Sequence, residues 1–328
     1  MPAKSDIDST VVLYSTDEAF LPITCISARS MTEHCSGTPP PVTILLHDVS
    51  QASAERAAGF LTQAGITARF VAVDPSWCEP WASARGQSAA KFGPLRLDEW
   101  MEDGVKRVIV VDSDTRFLGA VDELVRLDLQ GMVLAAVDDI AMVADGKLPQ
   151  LRGKLGLPAD AGYFNSGLMV VDLARWTEDG IGPAATAVFT ERPEILTFND
   201  QCALNAVLAG RYLRLPFRWN CLNGSTPLDW PVCLAHYAGH FKPWSLGPLR
   251  RLADITAFVG RHNIDYYDTA MDELSAAHLA PGRRLRDTFY YLSIYAKWRI
   301  NGKLREVQSR PQSEHLKAHV SRHPQLMG

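Results

Sequence analysis

The chain has 328 residues, of which 47% are hydrophobic and 21% are charged, and its formal net charge is −4. This composition excludes a disordered protein, because a chain of this size buries roughly three quarters of its unfolded surface. The longest wholly apolar runs, such as Val108–Val111, are far shorter than the roughly 20 residues of a membrane-spanning helix, which excludes an integral membrane protein.

The opening residues, Met1–Asp6, lack the apolar centre of a signal peptide, so we expect a cytoplasmic protein. The six cysteines form no CxxC pair, which predicts reduced thiols rather than a disulfide scaffold or a zinc site. Residues 281–328 contain ten lysines and arginines against three acidic residues, whereas the rest of the chain is acidic. This asymmetry indicates an acidic catalytic body and a basic tail that meets an anionic surface, and it disfavours nucleic-acid binding.

Apolar runs alternate with helix-like stretches over the first 140 residues, which predicts a Rossmann-like, mainly parallel sheet covered by helices. The predicted strands are Val11–Tyr14, Val42–Leu46, Phe70–Val73, Val108–Val111 and Val133–Val137. The predicted helices between them are Ser53–Gln63 and the Leu95–Met101 region. The exit of the first strand, Ser15–Glu18, carries neither GxGxxG nor a P-loop, which disfavours classical dinucleotide and nucleoside-triphosphate sites.

Further along the chain, we expect strands at Tyr163–Asp172 and Val232–Tyr237 and a short helix at Asp200–Leu208. From about residue 249 the sequence is helical and basic, and Pro281-Gly282 marks a break before the tail. The sequence therefore predicts an α/β domain over residues 8–248 and a helical, basic and aromatic region over residues 249–328.

Three polar motifs follow or flank predicted strands. Asp112-Ser113-Asp114 ends a buried strand, where two carboxylates can share one hard divalent cation; a solvated acidic turn is the alternative. The stretch 236–244 (HYAGHFKPW) offers an imidazole as a third metal ligand, a glycine that admits phosphate oxygens and a lysine. A structural histidine beside a turn capped by a tryptophan is the alternative for His236. The stretches 163–171 and 198–201 place amides and a carboxylate where they suit sugar hydroxyls, although a helix N-terminal charge also accounts for Asp200.

Together and in this order, the motifs DSD, YFNSGLMVVDL, NDQ and HYAGHFKPW resemble the signature of the retaining, metal-dependent glycosyltransferases of family eight. This family includes glycogenin and bacterial lipopolysaccharide α-galactosyl- and α-glucosyltransferases. The resemblance spans Val11 to Trp244. It implies a GT-A fold, which is a mixed, mainly parallel sheet flanked by helices, and a UDP-hexose donor whose diphosphate is bridged by Mn²⁺ or Mg²⁺.

The resemblance also implies residue roles at matching positions. It implies that Asp112, Asp114 and His236 coordinate the metal. It also implies that Gly239 and Lys242 bind the diphosphate. The remaining implied site residues are Asp17 for uracil with Ser15 and Thr16 beside it, and Asn165, Asp200, Gln201 and Asp138 for the donor hexose. Helix capping is the alternative for Asp17, and Asp139 is the nearest rival of Asp138.

Two features leave alternatives open. Members of the family have a basic residue before the DxD strand that reaches the donor. Lys91, which is followed by an apolar residue as in one form of the family motif, is the first candidate, although more residues separate it from Asp112 than we expect. Arg96 is the second candidate. The matching position for a carboxylate nucleophile is Gln201, which favours front-face substitution over a covalent double displacement.

The segment from Arg283 to Arg305 interleaves basic residues with aromatic and apolar ones. If helical, it suits the headgroup region of an anionic membrane and lipid-linked acceptors, as in bacterial members of the family; a helix packed on the catalytic domain is the alternative. This reading places the protein in the cytoplasm, at the inner face of the membrane.

The leading hypothesis is a retaining hexosyltransferase that moves glucose or galactose from a UDP-sugar to a lipopolysaccharide or other surface glycan. The alternatives are a nucleotide-sugar hydrolase, a transferase with a protein or polyol acceptor, and a sugar-nucleotide-binding protein with a decayed site. The intact set of Asp112, Asp114, His236 and Lys242 argues against decay.

Overall fold

The structure, a computed structural model, describes residues 9–223, 225–227, 229–239, 242–244, 265–267, 269–270, 272–273 and 285–327. The predicted break at Pro281-Gly282, and His240 and Phe241 of the fourth motif, lie outside these residues. Within the described part of the chain, the strands form one seven-stranded and one three-stranded sheet.

The large sheet carries the core of the molecule. Its strands, in spatial order, are β3 (Ala68–Ala72), β2 (Val42–His47), β1 (Thr10–Asp17), β4 (Arg107–Val111), β7 (Phe164–Asp172), β6 (Leu134–Asp138) and β8 (Leu213–Arg214). Strand β1 pairs in parallel with β2 and β4, and β2 with β3, whereas β7 runs antiparallel to both β4 and β6. The predicted mixed, mainly parallel sheet is therefore confirmed.

Continuous apolar sequence explains why these strands occupy the middle of the protein. Every residue of β2 and β6 is buried, as expected when helices cover both faces of a sheet. Strands β1, β4 and β6 run in the same direction, so their carboxyl ends lie at one edge of the sheet. Polar side chains such as Asp17 and Asp112 follow the apolar runs there.

The small sheet lies at that edge. It consists, in spatial order, of β5 (Thr115–Phe117), β10 (Leu234–His236) and β9 (Cys221–Leu222). Strand β10 pairs antiparallel with β5 and parallel with β9. Because β5 begins shortly after β4 ends, this sheet joins the DSD turn to residues more than a hundred positions later in the chain.

Helices cover the sheets and connect the strands. They are α1 (Leu21–Thr32), α2 (Gln51–Gln63), α3 (Glu79–Arg85), α4 (Leu97–Trp100), α5 (Asp122–Val125), α6 (Ile140–Ala144), α7 (Leu148–Leu155), α8 (Leu173–Glu178), α9 (Ile181–Glu191), α10 (Asn199–Leu208), α11 (Leu285–Ile300), α12 (Lys303–Ser309) and α13 (Glu314–Arg322). The predicted helix at Leu95–Met101 is only the four-residue α4, preceded by a 3-10 segment over Ala89–Arg96. Arg96, with φ −115° and ψ 33°, lies outside the helical region and separates the 3-10 segment from α4.

The described C-terminal elements pack on the sheet domain. Leu316 of α13 is buried in the same core as the strands. Arg310 makes two hydrogen bonds, of 2.6 and 2.7 Å, to the carboxylate of Asp145, and His319 contacts Asp138 at 2.9 Å. The division of the chain at residue 249 stays a prediction, and residues 303–327 share a core with the strands.

Buried His47, at the end of β2, packs against the exit of β1. Its Nε2 lies 3.0 Å from the hydroxyl of Ser15, which itself donates to the carbonyl of Ala90 at 2.6 Å. Because the single hydroxyl proton of Ser15 serves Ala90, the ring nitrogen of His47 donates to Ser15. Burial outweighs the neighbouring carboxylates of Asp48 and Asp17 and lowers the pKa of His47 to about 4.

We expect this histidine to make folding sensitive to acid. The unfolded imidazole takes up a proton near pH 6.5, whereas the folded ring resists protonation down to about pH 4. The stability that His47 contributes is therefore complete above pH 6.5 and falls as the pH drops through that window, by up to about 3 kcal/mol at ~1.4 kcal/mol per pKa unit. Urea unfolding of the wild type and of His47→Gln, from pH 7 to pH 4.5, measures this loss.

Exposed His315 provides the matched control. His315→Gln should keep the wild-type dependence of unfolding free energy on pH, whereas His47→Gln should flatten it. An equal pH dependence in all three proteins would contradict the assignment.

Candidate active site

A cleft of about 740 Å³ opens at the carboxyl edge of the large sheet. It gathers nearly all of the residues singled out from the sequence, which come from separate parts of the chain. Those that line it are Ser15, Thr16, Asp17, Lys91, Asp112, Asp114, Asn165, Asp200, Gln201, His236, Gly239 and Lys242. Asp138 is absent from its lining.

Backbone pairing brings the two aspartates and the histidine together. Asp112 follows β4, Asp114 precedes β5, and the antiparallel register of β5 with β10 sets Thr115 opposite His236. The Nε2 of His236 consequently lies 3.3 Å from Asp114 and 3.5 Å from Asp112. One ligand atom from each residue lies within 4.8 Å of the others, which is a suitable spacing for ligands of a single ion.

The chemistry of this set fits a divalent metal. Two carboxylates and one imidazole combine the oxygen ligands preferred by Mg²⁺ and Mn²⁺ with a nitrogen ligand that Mn²⁺ also accepts. The side chain of Asp112 is half exposed at the cleft, whereas those of Asp114 and His236 are largely buried. The site is thus open to an incoming ligand on the Asp112 side.

Lys242 supplies positive charge next to this cluster. Its ammonium group contacts the carboxylate of Asp114 and the carbonyl of Tyr237. Although burial raises the pKa of Asp114, Lys242 and His236 outweigh it and hold that pKa well below the usual range. At His236, burial lowers the pKa of the imidazole, but the carboxylates of Asp114 and Asp112 outweigh burial and raise it. Asp114 is therefore an ionised, acceptor-only group that can bind a cation.

On the side of β4 opposite to β7 and β6, β1 presents Ser15, Thr16 and Asp17 to the cleft. The carboxylate of Asp17 accepts a hydrogen bond from the backbone N–H of Phe20 at 3.0 Å, so it caps the turn into α1. The same side chain also lines the cleft, so uracil binding by Asp17 stays a prediction.

The structure places only one of the two basic candidates before β4 at the cleft. Exposed Lys91 lines the cleft. Arg96 instead donates to Glu99 at 2.6 Å and stacks over Trp77 at 4.9 Å, and it does not line the cleft. Lys91 is consequently the better placed of the pair.

On the opposite wall, Asp139 holds two amides in place. Its carboxylate accepts from Asn165 Nδ2 at 3.2 Å and from Gln201 Nε2 at 3.0 Å. The other oxygen caps α6 by accepting the backbone N–H groups of Ala141 and Met142. These bonds fix which atoms Asn165 and Gln201 present to the cleft.

Of the two adjacent aspartates at the end of β6, Asp139 lines the cleft and Asp138 does not. The side chain of Asp138 is buried behind the cleft wall, where it contacts Tyr212, His319 and Arg214. These partners outweigh burial and lower the pKa of Asp138, which is therefore an ionised structural anchor. Successive side chains of an extended strand point to opposite faces, so a one-residue change in position decides which aspartate meets a ligand.

Asp200, at the first turn of α10, faces the DSD turn. It accepts a hydrogen bond from the hydroxyl of Ser166 at 3.0 Å. Desolvation in the cleft, with the added negative charge of Asp112, raises the pKa of Asp200 to about 7. A cation at the DSD turn would oppose this effect and favour the ionised form.

Several lining residues were not singled out from the sequence. Trp298, Val307 and Arg310 come from the C-terminal region and line the cleft beside Asn223 and Ser225. No local motif marks them, because their role depends on how α11 and α12 pack on the sheet domain. Buried Asn220, which lies 2.8 Å from His236 Nδ1, could have been suspected only from its position before β9.

Comparison with known proteins gives one family model, described as glycosyl transferase family 8, which matches residues 11–246. The lipopolysaccharide 1,2-glucosyltransferase of Escherichia coli is 26% identical over 42% of this chain and 44% of its own length. The lipopolysaccharide 1,3-galactosyltransferase of Salmonella typhimurium is 27% identical over 49% of this chain and 51% of its own length. The chain thus spans about half the length of these relatives.

Among solved structures, the galactosyltransferase LgtC, determined with donor and acceptor sugar analogs, superimposes with a TM-score of 0.67. The match covers 79% of this chain and 95% of that one, at 21% sequence identity. At this identity the likeness establishes the fold, which is GT-A as expected.

We predict that Asp114→Asn weakens Mn²⁺ binding by more than about 100-fold, because an ionised ligand becomes a neutral amide. Calorimetric titration of Mn²⁺ into each protein in the presence of UDP measures the change. Asp103→Asn, at an exposed position before β4 and so at the opposite end of that strand, is the control and should bind Mn²⁺ as the wild type does. Equal affinity in wild type and Asp114→Asn would remove Asp114 from the metal site.

Proposed function

Because this chain belongs to glycosyl transferase family 8, we propose that it is a retaining hexosyltransferase that uses a UDP-sugar donor. The observation that carries the proposal is the convergence of Asp112, Asp114 and His236 in a cleft at the carboxyl edge of a GT-A sheet. The relatives named for glucosyl and galactosyl transfer to lipopolysaccharide support a hexose donor and a surface-glycan acceptor.

The order of residues along the cleft fits the three parts of a nucleotide sugar. Ser15, Thr16 and Asp17 lie at the β1 exit, where they suit the uracil and ribose. The metal ligands and Lys242 meet at the DSD turn, where a bound cation and the lysine would offset the negative charge of a diphosphate. The amides held by Asp139 follow, and they suit the hydroxyls of the hexose.

Mn²⁺ is the proposed ion at Asp112, Asp114 and His236, with Mg²⁺ as the alternative. When bound, such an ion would neutralise charge on the departing diphosphate. Lys242 adds a fixed positive charge on the same side, and the φ of +89° at Gly239 gives a backbone shape that glycine adopts without strain. Lys242 would thereby favour the departure of UDP, whereas Gly239 would let the backbone approach the diphosphate oxygens.

We propose front-face substitution as the mechanism. The acceptor hydroxyl oxygen forms its bond to the anomeric carbon while the bond to the diphosphate oxygen breaks. The electron pair leaves with UDP, and the hydroxyl proton moves to the departing oxygen. Gln201 is neutral, and Asp139 accepts four hydrogen bonds, so neither group is an effective nucleophile for a covalent intermediate.

The alternatives differ in what accepts the sugar. A protein or polyol acceptor, or water alone, requires the same donor site and differs only on the outer side of the cleft. Trp298, Val307 and Arg310 lie on the cleft wall contributed by the C-terminal region, and we propose that this wall faces the acceptor. A binding protein with a decayed site is disfavoured because the ligand set and Lys242 are intact.

Release of UDP from UDP-glucose and UDP-galactose, with Mn²⁺ and with or without a lipopolysaccharide oligosaccharide, tests the function. We expect release to be metal-dependent and faster with acceptor. Asp139→Asn should lower turnover roughly 10- to 100-fold, because the amides of Asn165 and Gln201 lose their anchor. Binding of UDP with no release in any condition would favour the decayed binding protein.

Asp138→Asn is the matched control at the neighbouring position. It should destabilise the fold, by about 3 kcal/mol, because a buried carboxylate with several partners loses its charge. Its turnover per folded molecule should stay within about threefold of wild type. A larger loss of turnover in Asp138→Asn than in Asp139→Asn would restore Asp138 as the donor contact.

We further propose that the C-terminal region touches an anionic membrane from the cytoplasmic side. Among the described residues, no helix combines the length and apolar character needed to cross a bilayer. Buried Tyr295 packs α11 onto the body, while Lys297, Arg299 and Ile300 are exposed at its end, Ile300 by 86%. Exposed cations beside an apolar side chain suit a headgroup region.

The combined substitution of Lys297→Glu and Ile300→Ser should lower sedimentation with vesicles that contain phosphatidylserine by fivefold or more, because each basic residue near such a surface contributes about 1 kcal/mol. Lys317→Glu, an exposed lysine on α13, controls for a change in net charge alone. Sedimentation that is unchanged in the double variant would reject the contact.

A further inference from the structure

A row of buried amides runs from the sugar side of the cleft to the back of the metal-site histidine. Asn165 and Asn220 are 9% and 1% exposed, and His236 is 3% exposed. Asn220 Nδ2 donates to Asn165 Oδ1 at 2.9 Å, and Asn220 Oδ1 lies 2.8 Å from His236 Nδ1. Asn220 therefore touches both the hexose-side amide and the imidazole.

The contacts of Asn165 determine which group donates and which accepts in each hydrogen bond of this row. A backbone N–H can only donate, and the N–H of Gly167 points at Asn165 Oδ1 at 3.0 Å. The amide nitrogen of Asn165 in turn donates to the carboxylate of Asp139 at 3.2 Å. These contacts identify the oxygen and the nitrogen of the Asn165 amide. Because Asn220 faces the Asn165 oxygen, it must turn its amide nitrogen toward Asn165 and its oxygen toward His236.

The proton on His236 follows from this orientation. Because Asn220 presents an oxygen, the Nδ1 of His236 must carry a proton, and the neutral ring then has a free lone pair on Nε2. That lone pair points toward Asp112 and Asp114, as a metal ligand requires. Without Asn220, the two carboxylates would favour the opposite tautomer, with the proton on Nε2.

Gly167 also leaves room for the ring. A Cβ atom at this position would lie 2.4 Å from His236 Cε1 and 2.6 Å from Nδ1, closer than any real contact. The glycine of the YFNSGLMVVDL motif therefore has two functions: its N–H orients Asn165, and its missing side chain admits the imidazole.

We propose that Asn220, oriented by Gly167 and Asn165, is a positioning residue that holds His236 in the tautomer able to bind the metal. This inference rests on the metal site of the proposed function. It links the hexose side of the cleft to the metal side through one continuous chain of directed hydrogen bonds.

The test measures Mn²⁺ affinity rather than turnover. Electron paramagnetic resonance measures the concentration of free Mn²⁺ while Mn²⁺ is titrated into each protein in the presence of UDP. Asn220→Leu should weaken Mn²⁺ binding about 10- to 100-fold, the usual effect of removing a group that orients a metal ligand. Asn205→Leu is the control, since Asn205 is equally buried and bonds only to the backbone at Phe164 and Gln201. It should lower stability and leave Mn²⁺ affinity within about threefold of wild type.

A double-mutant cycle separates positioning of His236 from a general structural effect. If Asn220 acts through the imidazole, then Asn220→Leu should change Mn²⁺ affinity less than about twofold in a His236→Gln background. Additive losses, or unchanged affinity in Asn220→Leu alone, would overturn the positioning role while leaving the metal site intact. Absence of Mn²⁺ binding by the wild-type protein would overturn the metal site and the positioning role together.

Discussion

The site depends on the antiparallel pairing of β5 with β10. This pairing sets Thr115 opposite His236, and so joins the DSD turn to a strand more than a hundred residues later. A slip of one residue would turn His236 to the other face of the small sheet and leave Asp112 and Asp114 without their third partner. Because both strands have only three residues, their register relies on neighbouring contacts such as the pairing of β10 with β9.

Charge then divides the cleft into parts with different tasks. Anionic Asp112 and Asp114 and cationic Lys242 meet at the DSD turn, whereas the hexose side carries mainly amides whose orientation Asp139 determines. Behind the wall, the ionised Asp138 is neutralised by basic partners that include His319 of α13. The C-terminal region consequently supports the end of β6, which the cleft-lining Asp139 follows directly.

Much of this arrangement could be predicted from the sequence, because apolar strands and the motifs at their ends are local signals. The position of Asp139 could not, since choosing between adjacent aspartates depends on which face of β6 meets the cleft. Asn220 and Arg310 were missed for a different reason. Their importance arises from contacts across 16 and 165 positions, to His236 and Asp145, which no local pattern records.

We propose that His236 and the two aspartates bind one divalent ion together with UDP. Electron spin echo spectroscopy of the Mn²⁺–UDP complex, made with ¹⁵N-histidine protein, tests it most directly. We expect one histidine nitrogen coupled to Mn²⁺, and loss of that coupling in His236→Gln. A Mn²⁺–UDP complex without histidine coupling, or with coupling that survives in His236→Gln, would contradict it.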